Sequence, residues 1–210
     1  MHLFNNLFKL LLVGRHADKG VVLRFGIPAV LFAVLGSWLL LQITNLKPLF
    51  SYWAVGITFN IYPVKLTIAI LLMFFALIEL IPYFSRLQFS KKHLAVGGAM
   101  SGFFGGLSGV QGALRSAFLI KAGLSKEAFI ATAVVVSTFV DITRLGIYAL
   151  NFTGAGLSQN LILVVAATLS GILGAYVGNR LLKKVTLKSV QQTVAIMLII
   201  IAVALGAGLI

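Results

Sequence analysis

Cysteine is absent from this 210-residue sequence, acidic residues number only four, and charged residues of all kinds make up 10% of the chain. The absence of cysteine excludes disulfides, thiolate metal sites, iron–sulfur clusters and cysteine nucleophiles. The shortage of charge excludes a soluble globular protein, because soluble domains carry about 25% charged residues. Hydrophobic residues make up 60% of the chain, and the mean hydropathy is +1.07. These proportions are typical of an integral membrane protein.

Apolar segments of nearly 20 residues alternate with short basic stretches along the chain, and a helix of about 20 residues crosses a bilayer. The sequence therefore predicts an all-α fold, a polytopic transmembrane helical bundle that forms one integral membrane domain over residues 1–210. Its first partner is the lipid bilayer, and its predicted location is the inner or plasma membrane of the cell. The predicted helical segments are 25–44, 65–84, 94–114, 128–150, 160–179 and 190–210, with a partial one at 2–13.

Basic residues give the chain a net charge of +13, from 17 lysines and arginines against four acids. They fall mainly in the short stretches between apolar segments rather than on one polar face. This distribution is typical of loops that set membrane topology, and it argues against nucleic acid as a partner.

The segment 94–120 is rich in glycine, which weakens a continuous helix and permits a break. If it enters the membrane and returns, loops 14–24, 85–93, 121–127 and 180–189 share one side. Twelve lysines and arginines then lie on that side, and only Lys47 and Lys65 on the other. If it crosses, the same residues divide eight to six, which gives no bias. The positive-inside rule therefore favours a re-entrant hairpin of two half-helices, with the C-terminus outside.

A short internal repeat supports this topology. Residues Phe4–Leu10 resemble Phe139–Leu145, with Asn6 opposite Asp141 and Lys9 opposite Arg144, and Val34–Trp38 resembles Ile172–Tyr176. In the hairpin topology the two copies run in opposite directions, as in transporters built from inverted repeats with a substrate site between the halves. Residues 1–84 form a partial first repeat and 91–210 the second.

The first repeat has no counterpart of the glycine-rich hairpin. This predicts a truncated first half, from an N-terminally truncated product or from a shortened form. Such a form would borrow the missing segment from a partner or from a second copy in a homo-oligomer.

The glycine-rich stretch before Arg115 is the first candidate site. A helix broken in the membrane leaves backbone N–H groups free at the start of its second half, which favours an anion. Arg115 would add a full charge, or would instead extend to the headgroups from a helix end. Glycines spaced four apart also allow close helix packing, which is the structural alternative. The candidate substrate-binding residues of this stretch are Ser108, Gly109, Gln111, Gly112 and Arg115.

Asp141 and Arg144 form the second candidate site, because a spacing of three places them on one helix face within an apolar segment. Each charge alone costs about 2.5–3.5 kcal/mol at a helix centre, so the two should pair or line a wet cavity. They form a structural ion pair, or Arg144 faces an anion while Asp141 holds it or carries a coupling proton. Lys9 would flank the same cavity from the first repeat.

Enzymatic chemistry has little support in the sequence. Gly106-Leu107-Ser108-Gly109 resembles the motif of an intramembrane serine protease, but no histidine follows Ser108 to act as its base. Clusters with metal-ligand spacing and a nucleotide-binding glycine loop are also absent. We therefore expect no enzyme activity, catalytic residue, metal or cofactor.

The second half of the chain resembles the sulfite exporter TauE/SafE family of membrane transporters. The resemblance rests on the glycine block Gly97–Gly112, on the following residues to Leu119, on Ala122–Ser125 and on Phe139–Tyr148. It covers 91–210 best and 4–84 more weakly. The resemblance implies two four-segment halves and transport of sulfite, sulfonates or related organic anions, and it singles out Gly109, Gln111, Gly112 and Arg115.

The function predicted from residues and resemblance together is a secondary permease or exporter for small, sulfur-containing anions. The alternative is a non-transporting membrane scaffold or assembly subunit, in which the glycines are packing faces and Asp141 with Arg144 is a structural pair.

Overall fold

Helices make up most of the part of the chain that the computed structural model describes. That part comprises residues 2–54, 56–81, 89–109, 112–120, 122–151, 162, 165–166, 169–170, 173–174 and 187–210. The helices are α1 (His2–Val13), α2 (Lys19–Val21), α3 (Ile27–Thr44), α4 (Pro63–Leu80), α5 (Leu94–Ser108), α6 (Gly112–Leu119), α7 (Lys126–Asn151) and α8 (Leu187–Gly206). A π-helical turn, Val22–Gly26, joins α2 to α3. The helical membrane fold predicted from the sequence is confirmed.

Local signals explain where several helices begin. The Asp18 carboxylate accepts a hydrogen bond from the backbone N–H of Val21 at 2.8 Å and so caps α2. Helices α3 and α4 carry Pro28 and Pro63 in their first turn, where a missing N–H costs nothing.

The connection between α3 and α4 contains a small β-hairpin, an addition that the helical prediction did not include. Strands β1 (Phe50–Ala54) and β2 (Ile57–Ile61) pair in antiparallel register, with Gly56 at the turn in a left-handed conformation. Stacked rings of Tyr52 and Phe59 lie 5.2 Å apart, and the Tyr52 hydroxyl donates to the Ala207 carbonyl at 2.6 Å. The hairpin and the end of α8 therefore lie at the same end of the bundle, as the predicted topology requires.

Helices α5 and α6 form a returning hairpin. The N–H of Phe89, just before α5, donates to the Ala117 carbonyl near the end of α6 at 3.2 Å. The rings of Phe89 and Phe118 stack at 4.2 Å, and Phe118 also packs against Gly97. Because the start of α5 contacts the end of α6, the chain comes back to the end from which it started. The predicted break and return are confirmed.

Small residues bring α3 and α5 into backbone contact. A Cβ atom on any of three glycines of α5 would overlap a backbone carbonyl of the segment leading into α3 or of α3 itself. Such contact requires glycine, as in small-xxx-small helix pairs of membrane proteins. The packing interpretation is therefore correct for this stripe, in which Gly98 faces Phe25, Gly102 faces Ala29 and Gly106 faces Ala33.

The helices that carry the two copies of the internal repeat, α1 and α7, run antiparallel. Asn6 bonds Asp141 midway along α7, whereas Asp18, after α1, bonds Thr132 nearer the start of α7. Helices α4 and α8, the last helix of each half, are also antiparallel, since Gly206 at the end of α8 lies beside Ala69 in the first half of α4 and Gly208 lies beside Asn60, just before α4. Both pairs have the opposite orientation that an inverted repeat predicts.

The bundle exposes many large apolar side chains. Leu11, Leu31, Leu150 and Ile200 are each at least 60% exposed. Among the described residues, two helical stretches are long and apolar enough to cross a membrane, Lys19–Thr44 and Lys126–Leu150, while Pro63–Ile78 and Gln192–Gly206 are shorter apolar helices. An apolar surface of this extent fits contact with lipid rather than water.

Candidate anion site at the helix break

The break between α5 and α6 places two helix ends next to each other. Helix α5 closes at Gly109, whose φ of 78° is the left-handed conformation that favours glycine. Helix α6 starts at Gly112, and the predicted donor Gln111 lies outside the described residues. A helix C-terminus and a helix N-terminus, with partial charges of opposite sign, thus meet in this region.

Helix α7 presents one polar face to this break. Ser137, Asp141, Arg144 and Tyr148 follow each other at spacings of four, three and four, which places them on the same side of the helix. Each has a partner on another helix or within the group. These four polar residues therefore form one cluster on the second half of a largely apolar helix.

Asp141 is at the centre of the cluster and is only 4% exposed. Its Oδ1 pairs with Arg144 Nη2 at 3.7 Å, and its Oδ2 accepts a hydrogen bond from Asn6 Nδ2 at 2.8 Å. The predicted pairing of Asp141 with Arg144 is thus present. The two repeat-equivalent polar residues, Asn6 and Asp141, contact each other directly.

Arg115 projects from α6 onto the same face of α7. Its Nη1 donates to the Ser137 hydroxyl, one turn before Asp141. The side chain is half-buried, so it turns toward α7 rather than extending to the headgroups. Arg115 and Arg144, which come from different helices, therefore lie at the same polar face of α7.

The end of α5 supplies a backbone hydrogen-bond acceptor for side chains of other helices, and it leaves space for the Arg144 guanidinium. The Gly106 carbonyl accepts hydrogen bonds from the hydroxyls of Ser37 and Tyr148, each at 3.2 Å. These bonds satisfy a carbonyl of the last helical turn, where intrahelical partners run out. Arg144 lies against Gly109, so closely that a Cβ there would overlap its guanidinium. A cation at a helix C-terminus is stabilised by the helix dipole.

The cluster has unused capacity for an anion. Among the described residues, the Nε donors of Arg115 and Arg144 are buried and have no hydrogen-bond partner. In the same part of the chain Arg144 pairs with Asp141 and Arg115 forms no ion pair, which leaves one positive charge unmatched. Buried donors without acceptors are costly, so an anion that accepts from them would be stabilised.

The remaining predicted residues lie in different places. The Ser108 hydroxyl donates to the Phe104 carbonyl at 2.9 Å within α5. Gly112 is exposed at the start of α6, and Lys9 is exposed on α1, one turn after Asn6. The structure therefore brings together Gly109, Arg115, Asp141 and Arg144, with Asn6 rather than Lys9 reaching the cluster from α1.

Ser137 and Tyr148 were not predicted from the sequence, although a signal for them exists. Both lie at helical spacing from Asp141 and Arg144 in an apolar helix. Polar residues on one face of such a helix indicate a shared polar partner or cavity.

Comparison with known proteins identifies the family. Residues 1–205 match the family described as sulfite exporter TauE/SafE. The chain belongs to the TauE/SafE family. No curated protein and no solved structure matches it. The resemblance inferred from the glycine block is confirmed, and TauE/SafE membership makes this a protein of a membrane transporter family that acts on small molecules.

Proposed function

We propose that this TauE/SafE chain is a secondary permease or exporter of small anions, with sulfur-containing anions such as sulfite and sulfonates as its substrates. The family description supports the sulfur chemistry. The observation that supports an anionic substrate is the presence of two arginines, Arg115 and Arg144, at one polar cluster. Among the described residues their buried Nε donors have no hydrogen-bond partner, and the ion pair is that of Arg144 with Asp141.

The proposed binding site lies at the helix break, beside the end of α5 and the start of α6. The anion takes hydrogen bonds from Arg115 and Arg144 and lies near the first N–H groups of α6, beginning at Gly112. Guanidinium groups suit a sulfite or sulfonate because their paired N–H groups match two oxygens at once. Asp141 holds Arg144 in place and limits the site to one net positive charge, which favours a singly charged anion.

The proposed topology is that of a multi-pass protein in the cell membrane, with the basic segments on the cytoplasmic side. Three of these segments meet at one end of the bundle, where Lys91 lies beside Gly123 and Asp18 bonds Thr132. The β-hairpin and the end of α8 meet at the opposite end. This separation supports the positive-inside assignment.

The proposed transport cycle alternates access to the cluster from the two sides. Helices α1 and α7 belong to different halves and are joined by the Asn6–Asp141 hydrogen bond. Movement of one half against the other would break this bond and open the cluster, as in other inverted-repeat transporters. Ser108, Gln111 and Lys9 stay predicted substrate contacts in this cycle.

The test is thermal unfolding of the detergent-purified chain with sulfite, thiosulfate, sulfate, sulfoacetate or acetate added. A ligand of the folded state stabilises by about 2.7 kcal/mol at a concentration of 100 Kd. We expect a selective rise in Tm that is lost in Arg115→Gln and kept in the surface control Lys92→Gln. The same variants are then compared for efflux of the stabilising anion from proteoliposomes.

The outcome decides between two functions. Tight glycine packing of α5 on α3 also suits the second candidate, a non-transporting scaffold. If no anion raises the Tm of folded chain, or if Arg115→Gln lowers only the folded yield, the scaffold function is favoured and the transport proposal is wrong.

A further inference from the structure

A cleft of about 410 Å³ lies away from the arginine cluster, between the α1–α2 connection and α7. Its residues are contributed by the α1–α2 connection, by the start of the long α2–α3 helical stretch and by α7. The cleft is lined by Gly14, Arg15, Ala17, Lys19, Val22, Leu23 and Val135.

Two cations of this lining are available for a ligand. Arg15 and Lys19 are exposed, and in the part of the chain described here neither forms an ion pair. The nearest acid in sequence, Asp18, uses its carboxylate to cap α2 at the N–H of Val21. The two cations outnumber this one carboxylate, so the lining keeps a net positive charge.

Three apolar side chains of the lining, Val22, Leu23 and Val135, come from the membrane-length helices. The apolar membrane-crossing stretch begins at Lys19, and Val22 and Leu23 lie within its first turn and a half. Leu23 is 58% exposed, and Val135 closes the cleft from α7. Charge at the helix end with apolar surface directly below it matches the order of layers at a bilayer surface, with headgroups outside and acyl chains inside.

We propose that this cleft binds one anionic phospholipid, with its phosphate between Arg15 and Lys19 and the upper part of an acyl chain along Val22, Leu23 and Val135. A soluble anion would use the cations but leave the apolar lining empty, whereas a zwitterionic lipid would fill the lining but carry a compensating charge. Only an anionic lipid uses both parts. The inference is independent of the transport function, because none of these residues belongs to the arginine cluster.

The experiment measures binding and Tm of the detergent-purified chain with short-chain phosphatidylglycerol, short-chain phosphatidylcholine or inorganic phosphate. We expect phosphatidylglycerol alone to raise the Tm. Arg15→Gln/Lys19→Gln should weaken its apparent affinity about 30-fold, roughly fivefold for each cation. The matched control Lys92→Gln/Lys126→Gln removes the same charge from exposed positions at the same end and should change the affinity less than twofold.

A second variant tests the apolar part of the cleft. Val135→Phe fills the space next to Leu23 without changing charge, and its Tm without lipid shows whether the fold is intact. We expect it to weaken phosphatidylglycerol binding at least fivefold. Equal stabilisation by phosphatidylcholine or by phosphate, equal loss in the control pair, or unchanged binding in folded Val135→Phe would each overturn the proposal.

Discussion

The two parts of α5 use glycine for different physical reasons. Along the helix, Gly98, Gly102 and Gly106 lack a side chain so that the backbone of α3 and of the turn before it can lie against them. At the helix end, Gly109 adopts a positive φ and leaves space for the Arg144 guanidinium. The first region builds the bundle and the second shapes a polar cluster. A glycine-rich motif in one helix can therefore contain both a packing face and a site, and substitutions can separate them.

The largest effect is expected at the packing stripe. In Gly102→Leu the new side chain would overlap backbone atoms of Ala29, which cannot move aside as a side chain can. Overpacked cores lose about 1–3 kcal/mol, and contact with backbone should exceed that range. We expect little folded protein by size-exclusion chromatography.

The matched control is Gly146→Leu on α7, where a Cβ meets no described atom within 4 Å and the position is exposed. It should elute and unfold like the unaltered chain. Equal loss in both variants would mean that α3 and α5 are not held by this stripe.

The second effect concerns the charge balance of the cluster. Asp141→Asn leaves Arg144 without its carboxylate, and removing one partner of a buried pair costs about 3–5 kcal/mol. We expect a lower Tm, together with a larger stabilisation by added sulfite or sulfonate than in the unaltered chain, because the anion replaces the lost charge.

The control for this substitution is Asp18→Asn, an exposed helix cap at which asparagine is as good as aspartate. Its stability should change by less than about 0.5 kcal/mol. If anions fail to rescue Asp141→Asn, the two arginines do not form an anion site.

The sequence predicted the helices, the break and the Asp141–Arg144 pair because each depends on local composition or spacing. Glycine density weakens a helix wherever it occurs, and two charges three apart share a face in any helix. The role of Asn6 was harder to predict. Repeat equivalence placed it opposite Asp141 in sequence, but whether Asn6 or Lys9 reaches α7 depends on the rotation of α1 against α7, which sequence spacing does not determine. The β-hairpin was missed because its aromatic residues are equally typical of a membrane interface.

A smaller effect is expected when Asn6 is changed. Asn6→Ala removes a hydrogen bond to a charged group, which contributes about 1.5–3 kcal/mol, while Asp141 keeps its pair with Arg144. We expect a loss of stability near the lower end of this range. If opening of the cluster requires this bond to break, we also expect the rate of efflux to rise relative to the affinity for the anion.

Asn60→Ala is the control, because Asn60 accepts a hydrogen bond from Ser51 on the exposed β-hairpin. Its effect on Tm should be small. A loss in Asn60→Ala as large as that in Asn6→Ala would remove the evidence that α1 and α7 are joined at the cluster.

The smallest change in stability is expected at the end of α5, where two variants distinguish the effect of backbone conformation from the effect of side-chain contact. Gly109→Ala places a side chain at a positive φ, which costs about 1–2 kcal/mol, and it also displaces the Arg144 guanidinium. Gly56→Ala at the β-turn has nearly the same φ, 79° against 78°, but its Cβ meets no described atom within 4 Å. The two variants should therefore lose a similar amount from backbone strain, and only Gly109→Ala should also lose the Tm response to anions. Loss of that response in Gly56→Ala would mean that strain alone explains it, whereas an intact response in Gly109→Ala would mean that the position of Arg144 does not matter for the anion.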